Sequence, residues 1–215
     1  MWVVVVAAGS GRRFGAPKQF ARLGGRPVLA WSLEAARSVA DGLVVAVPPD
    51  DVARQRAELA GDAGRGPLVV PGGATRATSV RAGLAAVPAA AEVIVVHDGA
   101  RPLASPALFR AVVGAVRAGA DAAIPAMALS DTVKRVVGDA VAGTVDRGGL
   151  VTVQTPQAFR AAVLRAAHAG NDDATDDARL VEALGATVRI VPGEPRNIKV
   201  TTVADLEVVQ ALALS

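Results

Sequence analysis

The 215-residue chain contains no cysteine, which excludes disulfides, a thiolate nucleophile and any zinc-cysteine site. It contains no tyrosine, and aromatic residues make up only 3% of it. A surface that stacks nucleobases needs rings interleaved with clustered cations, and here the arginines are scattered among acids, so a nucleic-acid partner is not expected. Long apolar runs are missing as well: the longest, Trp2 to Ala8, falls far short of the ~20 residues that cross a bilayer. No membrane partner is expected, no basic segment precedes the first apolar run as in a secretory signal, and the expected location is cytoplasmic. Lysine is scarce too, since only Lys18, Lys134 and Lys199 stand among 23 basic residues, and the net charge is +3. In a chain that otherwise uses arginine, these positions suit a compact ammonium rather than a planar guanidinium, although coding bias gives the same pattern.

What is present is a rhythm. Apolar runs recur at 2-6, 43-47, 67-70, 92-96 and 122-126, hydrophobic throughout as in parallel strands covered on both faces. Helix-forming segments lie between them at 27-38, 51-60, 75-86 and 106-118, the last with Ser105 as cap and Pro106 in the first turn. Alternation of this length predicts βαβ units and a doubly wound α/β sheet within one domain spanning 1-215. Residues 131-155 break the pattern with three short strand-like runs, "DTVKRVV", "AVAGTV" and "LVTVQT", which predict a hairpin-like excursion at about 131-150. Helices are expected again at 158-169 and 175-184, the second capped by Thr175, then a strand at 186-191 and a last helix at 203-213 whose Thr202 and Asp205 are spaced as a capping box.

The stretch "AAGSGRRFGAPKQF", residues 7-20, follows the first strand. Glycines there let the backbone turn tightly and aim several N–H groups at one anion. The spacing, Gly9-x-Gly11-x-x-x-Gly15 with Phe14 at the third glycine position of a dinucleotide fingerprint, fits neither that motif nor a P-loop. A glycine turn without a ligand is the alternative. Against it stand Arg12, Arg13 and Lys18, three cations that repel one another unless solvent screens them or a multiply charged anion such as a triphosphate sits among them.

The motifs "AAGSGRR", "PKQF", "GGATRATSV", "VHDGARP", "DTVKR", "TVDRGGL", "TPQAF", "TDDA" and "NIKVT" occur in that order over nearly the whole chain. In these the chain resembles the 2-C-methyl-D-erythritol 4-phosphate cytidylyltransferases of the non-mevalonate isoprenoid pathway. It departs from some relatives in the short "FGA" between Arg13 and Pro17, and the cyclase domain fused to others is not expected in it. The resemblance implies a Rossmann-like nucleotidyltransferase fold, with a mostly parallel central sheet, helices on both faces and a protruding β-arm at 131-150. It also implies a homodimer with a shared active site, and transfer of CMP from CTP to methylerythritol phosphate with release of pyrophosphate. The attacking phosphate is already an oxyanion, so the chemistry needs positioning and charge stabilisation rather than a general base.

By the same resemblance Arg13, Lys18, Arg147 and Lys199 are catalytic. Ala7, Ala8, Gly9, Ser10 and Gly11 hold the triphosphate, while Gly72, Gly73, Arg76 and Ser79 hold cytosine and ribose. Asp98, Arg101 and Thr132 contact the acceptor, with Thr132 and Arg147 reaching across the dimer. Mg²⁺ is the implied cofactor, with Asp98 a candidate to position it and no ligand set assigned. Alternatives are a turn cap for Asp98, a helix cap for Thr75, a packed role for His97 and, for 131-150, an ordinary edge hairpin. The competing functions are cytidylyl transfer to another polyol phosphate such as ribitol 5-phosphate, a dinucleotide-dependent oxidoreductase, and a non-catalytic nucleotide binder.

Overall fold

The computed structural model describes residues 1–60, 66–170 and 173–214. In chain order the first half comprises β1 (Trp2–Val6), β2 (Arg22–Leu23), β3 (Arg26–Pro27), α1 (Val28–Arg37), β4 (Gly42–Val47), α2 (Val52–Leu59), β5 (Leu68–Pro71), α3 (Arg76–Ala86) and β6 (Val93–Asp98). The second half comprises α4 (Pro106–Arg117), β7 (Ala122–Ala128), β8 (Val133–Val137), β9 (Ala140–Val145), β10 (Val151–Val153), β11 (Gln157–Arg160), α5 (Ala161–Ala167), α6 (Asp177–Ala183), β12 (Val188–Pro192) and α7 (Val203–Ala213).

Hydrogen-bonded neighbours in the main sheet run β5, β4, β1, β6, β11, β7, and β10 and β12 also pair with β7. Strands β5, β4, β1 and β6 are mutually parallel, as the apolar runs predicted. The valines of β1 show why those runs are unbroken. Val3 and Val5 face a core built with Leu29 and Leu33 of α1 and Phe109 and Val112 of α4. Val4 faces the opposite core, with Val80 and Leu84 of α3 and Leu164 of α5. Side chains alternate across a strand, so a strand covered on both faces is apolar at every position, and each such burial stabilises the fold by about 1.5–3 kcal/mol. Ser105 caps α4 by accepting from Leu108 N–H at 3.1 Å, with Pro106 in the first turn.

Three expectations need correction. The helix predicted over 158-169 begins only at Ala161, because Gln157–Arg160 is a strand inserted antiparallel between β6 and β7. Ala158 packs into one core and Phe159 into the other, both fully buried, so burial on two faces overrides helix-compatible composition. The third strand-like run of the excursion, Val151–Val153, joins the main sheet through β7. The cap of α6 is Asp176, which accepts from Arg179 N–H at 3.1 Å, rather than Thr175. Asn171 and Asp172 of the acidic run lie outside the described residues.

The remaining two runs of the excursion, β8 and β9, form a two-stranded antiparallel sheet of their own. Lys134 Nζ donates across it to Thr144 Oγ1 at 2.6 Å. Its valines stand in solvent, with Val136 60%, Val137 71% and Val141 63% exposed.

Candidate active site

The glycine-rich loop leaves the sheet where β1 ends. Ala7 N–H still donates to Ala46 O at 2.8 Å, and the next internal bonds run from Phe14 and Gly15 N–H back to Gly11 O at 2.8 and 2.9 Å. Between them no amide of Ala8 to Arg13 donates to a backbone carbonyl among the described residues, which leaves a run of N–H groups for an anion. Gly11 has φ +67°, and a Cβ there would stand 1.8 Å from Ala16 O, so only glycine closes this turn. Gln19, 2% exposed, donates from Nε2 to Gly9 O at 3.2 Å and pins the loop to the turn that carries Lys18. The second glycine segment comes close to the first, since a Cβ on Gly72 would lie 2.3 Å from that of Ala8. Ser79 donates to Thr75 O at 2.9 Å and accepts from Gly73 N–H at 3.1 Å, and Thr75 does cap α3, reciprocally with Thr78.

These loops line a cleft of about 470 Å³ at the carboxyl ends of β1 and β6, the ligand edge of an open α/β sheet. Ala7 to Ser10, Arg12, Lys18, Gln19, Gly73 to Arg76, Ser79, Asp98 and Lys199 all contribute to its walls. Asp98, the last residue of β6 rather than a residue beyond it, is the electrostatic centre. Its Oδ1 lies 3.2 Å from Arg76 Nε, and its Oδ2 lies 2.6 Å from Lys199 Nζ and 3.9 Å from Arg101 Nε. Burial alone would raise its pKa; Arg76, Lys199 and Arg101 outweigh that and hold the carboxyl well below the usual carboxylate range. Lys18 is shifted down by burial first and then by the charges of Lys199 and Arg13, with Asp98 partly opposing. An anion placed beside it would oppose that shift and favour the charged ammonium.

His97 lies beneath this centre, fully buried and tilted against Phe109 with ring centroids 5.0 Å apart. Thr155 Oγ1 accepts from Asp98 N–H at 3.0 Å and lies 3.1 Å from His97 Nδ1. Arg101 O, 3.2 Å from Nε2, can only accept, so Nε2 carries the proton of the neutral ring and Nδ1 accepts from the Thr155 hydroxyl. Burial pushes the imidazole pKa down to about 4, in keeping with this neutral tautomer. The packed reading of His97 is therefore the observed one.

Lys199 arrives from a segment that the buried Asn197 fastens: Asn197 Nδ2 donates to Thr155 O at 2.8 Å and to Gln154 Oε1 at 3.1 Å, and its own carbonyl accepts from Arg101 Nη1 at 2.7 Å. Val200 N–H donates to Ala100 O at 2.8 Å. Thr202 and Asp205 then form the predicted capping box of α7.

A family model for IspD, 2-C-methyl-D-erythritol 4-phosphate cytidylyltransferase, matches residues 1–214. The chain belongs to this family. A 2-C-methyl-D-erythritol 4-phosphate cytidylyltransferase of Frankia casuarinae is 47% identical over 97% of this chain and 79% of its own. A bifunctional IspD/IspF enzyme of Solidesulfovibrio magneticus is 45% identical over 96% of the chain, which spans only 55% of that longer protein. The crystal structure of the Thermus thermophilus 2-C-methyl-D-erythritol 4-phosphate cytidylyltransferase superposes with a TM-score of 0.82 at 37% identity, covering 99% of this chain and 98% of that one. The fold is thus the mostly parallel α/β arrangement of the cytidylyltransferases.

Set against the family's motifs, the cleft gathers Ala7, Ala8, Gly9, Ser10, Lys18, Gly73, Arg76, Ser79, Asp98 and Lys199. Gly11 and Gly72 shape it from behind, and Arg13 reaches it only through its field on Lys18. Arg101 stands behind Asp98. Thr132 and Arg147 are exposed at the base of the hairpin and do not line this cleft; Arg147 Nη1 donates to Ser130 O and, at 3.4 Å, to Asp131 O. Sequence reasoning missed Gln19 and Asn197, although both sit inside quoted motifs, and it treated "TDDA" as a helix start although Asp177 is tied to Arg76. Among the described residues no three His, Cys, Asp or Glu side chains converge as metal ligands, and both oxygens of Asp98 face cations. Among the described residues the side chains therefore do not compose a Mg²⁺ site of their own.

Proposed function

We propose that the chain transfers the cytidylyl group of CTP to 2-C-methyl-D-erythritol 4-phosphate, by attack of the acceptor's phosphate oxygen on the α-phosphorus and in-line departure of pyrophosphate. The observation that carries this reading is the convergence of Lys18, Arg76 and Lys199, 181 positions apart at the extremes, on one cleft floored by a glycine-rich loop. In this reading the loop amides from Ala8 onward hold the triphosphate, with Gly72, Gly73, Arg76 and Ser79 on the nucleoside side. Arg13 and Lys18 neutralise the charge that builds at the α-phosphate, and Lys199 turns from Asp98 to the incoming phosphate. Asp98 and Arg101 serve the acceptor.

Mg²⁺ would enter with the triphosphate and would neutralise part of its charge, rather than sit on a side-chain site of this protein. The active unit is a homodimer whose β8–β9 arm, with its exposed valines, embraces a second copy and delivers Thr132 and Arg147 to the partner's cleft. Its location is cytoplasmic, in keeping with the lack, among the described residues, of any helix long and apolar enough to cross a membrane.

Pyrophosphate release measured with each nucleoside triphosphate, paired in turn with methylerythritol phosphate and ribitol 5-phosphate, tests the assignment. CTP with methylerythritol phosphate is expected to dominate. Silence with every pair would remove the enzymatic reading, and preference for ribitol 5-phosphate would transfer it to the other acceptor.

A further inference from the structure

Arg76, the first residue of α3, is held from two directions. Its Nε lies 3.2 Å from Asp98 Oδ1, and its Nη1 donates to Asp177 Oδ2 at 2.7 Å. Asp177 sits at the start of α6 and is 1% exposed, so it does not meet solvent or line the cleft. Its second oxygen accepts from His168 Nε2 at 2.9 Å, and that ring, from the end of α5, is buried too. The third guanidinium nitrogen, Arg76 Nη2, is buried with no protein partner among the described residues.

Burying a carboxylate costs several kcal/mol unless it is paired, and Asp177 is paired on both oxygens. Its effect on Arg76 is geometric. A guanidinium presents fixed edges, and the natural partner for two of its nitrogens is a single carboxylate held bidentately. Left with Asp98 alone, Arg76 would rotate to engage both its oxygens and would compete with Lys199, now 2.6 Å from Oδ2. Asp177 holds Nη1 on the far side, restricts Arg76 to one contact with Asp98 and leaves Nη2 unmatched.

We infer that Asp177, oriented by His168, is a positioning residue that fixes the Arg76 guanidinium in one orientation in the wall of the cleft, where Arg76 serves the substrate. This rests on the function proposed above. The test is a double-mutant cycle of Asp177→Asn and Arg76→Lys, read by kcat and KM for pyrophosphate release, by calorimetric CTP affinity and by thermal midpoint. Asp177→Asn is expected to lower kcat/KM about tenfold, and adding it to Arg76→Lys should cost nothing further, because the residue it positions is already gone. His168→Gln, which keeps an N–H toward Asp177, should stay near wild type, whereas His168→Leu should fall with Asp177→Asn.

Independent, multiplying losses in the double variant, or unchanged kinetics in Asp177→Asn, would overturn the inference. If Asp177→Asn does not fold, the cycle of His168→Leu with Arg76→Lys decides by the same criterion. Wild-type protein that turns over no substrate pair would instead sink the proposed function, and the coupling would still be read on CTP binding.

Discussion

The neutral, buried His97 makes a quantitative claim about stability. Its pKa falls from the ordinary imidazole value of 6.5 to about 4 in the folded chain, chiefly through burial, so between these values the unfolded state binds more protons than the folded one. Folding is therefore favoured as pH rises: the contribution is complete above the unfolded value and is lost as pH falls toward the folded one. Integrated from about pH 7 to about pH 5, the shift removes about 2 kcal/mol of stability from the wild type, a large share of what a domain this size holds. His97→Gln deletes the titrating group while keeping an N–H for Arg101 O. It loses the acceptor for Thr155 and should be less stable at neutral pH by about 1–2 kcal/mol. Urea unfolding of both proteins at the two pH values isolates the effect, since they differ at no other titratable group. The variant should lose about 2 kcal/mol less than the wild type on acidification. Equal losses would mean that His97 is already charged, or exposed to solvent, in the folded protein, and the tautomer derived from Thr155 and Arg101 would be wrong.

Further outcomes follow from the charges around Asp98 and from the proposed dimer arm. Lys18→Ala should lower turnover by about 10²-fold, the usual cost of one preorganised charge contact. In the wild type, because the free enzyme's Lys18 pKa is lowered, kcat/KM should decline with rising pH at a lower pH than an ordinary lysine would give, and near-normal turnover of the variant would refute the role. Asp98→Asn leaves Lys199 and Arg101 without their shared counter-ion and should cost about 3 kcal/mol in urea unfolding, with much of the loss recovered by millimolar inorganic pyrophosphate; a variant as stable as wild type would contradict the central role of that carboxylate. Arg147→Ala and Lys18→Ala proteins, each impaired alone, should regain activity when mixed under conditions that exchange subunits, and no recovery after demonstrated exchange would rule out a shared site.

The part of the molecule legible in its sequence is the part determined locally. Valines alternating between two cores read as parallel strands because each one is buried on its own account, and the caps Ser105, Thr75 and Thr202 act within three residues of themselves. Strand β11 was not legible, because "QAFR" is a strand only where β6 and β7 stand on either side of it. The same holds in the site. Lys18 and Gly11 announce themselves in one loop, but the 2.6 Å contact of Lys199 with Asp98 joins positions 101 apart, and the tie of Arg76 to Asp177 spans a similar gap. No spacing rule connects such residues. The family's ordered motifs carried them into one site in advance of the geometry, and Asp177, inside a motif that also reads as a helix start, passed unnoticed.

The two histidines explain what kind of catalyst the cleft can be. His97 has both ring nitrogens committed, to Thr155 and to the carbonyl of Arg101, and His168 faces Asp177 behind the wall of the cleft. Neither presents a free basic nitrogen to the cleft, and among the described residues the one carboxylate lining it is tied to cations. A reaction whose nucleophile must first lose a proton to the protein would find no base here. A phosphate monoester brings its negative charge already formed, and its difficulty is the opposite one, the repulsion of an equally charged partner. Four cations facing the cleft against one carboxylate, with backbone amides free at the loop, address that repulsion directly. Asp98 holds those cations together, and in the proposed reaction the half-buried Lys199 would exchange it for the incoming phosphate.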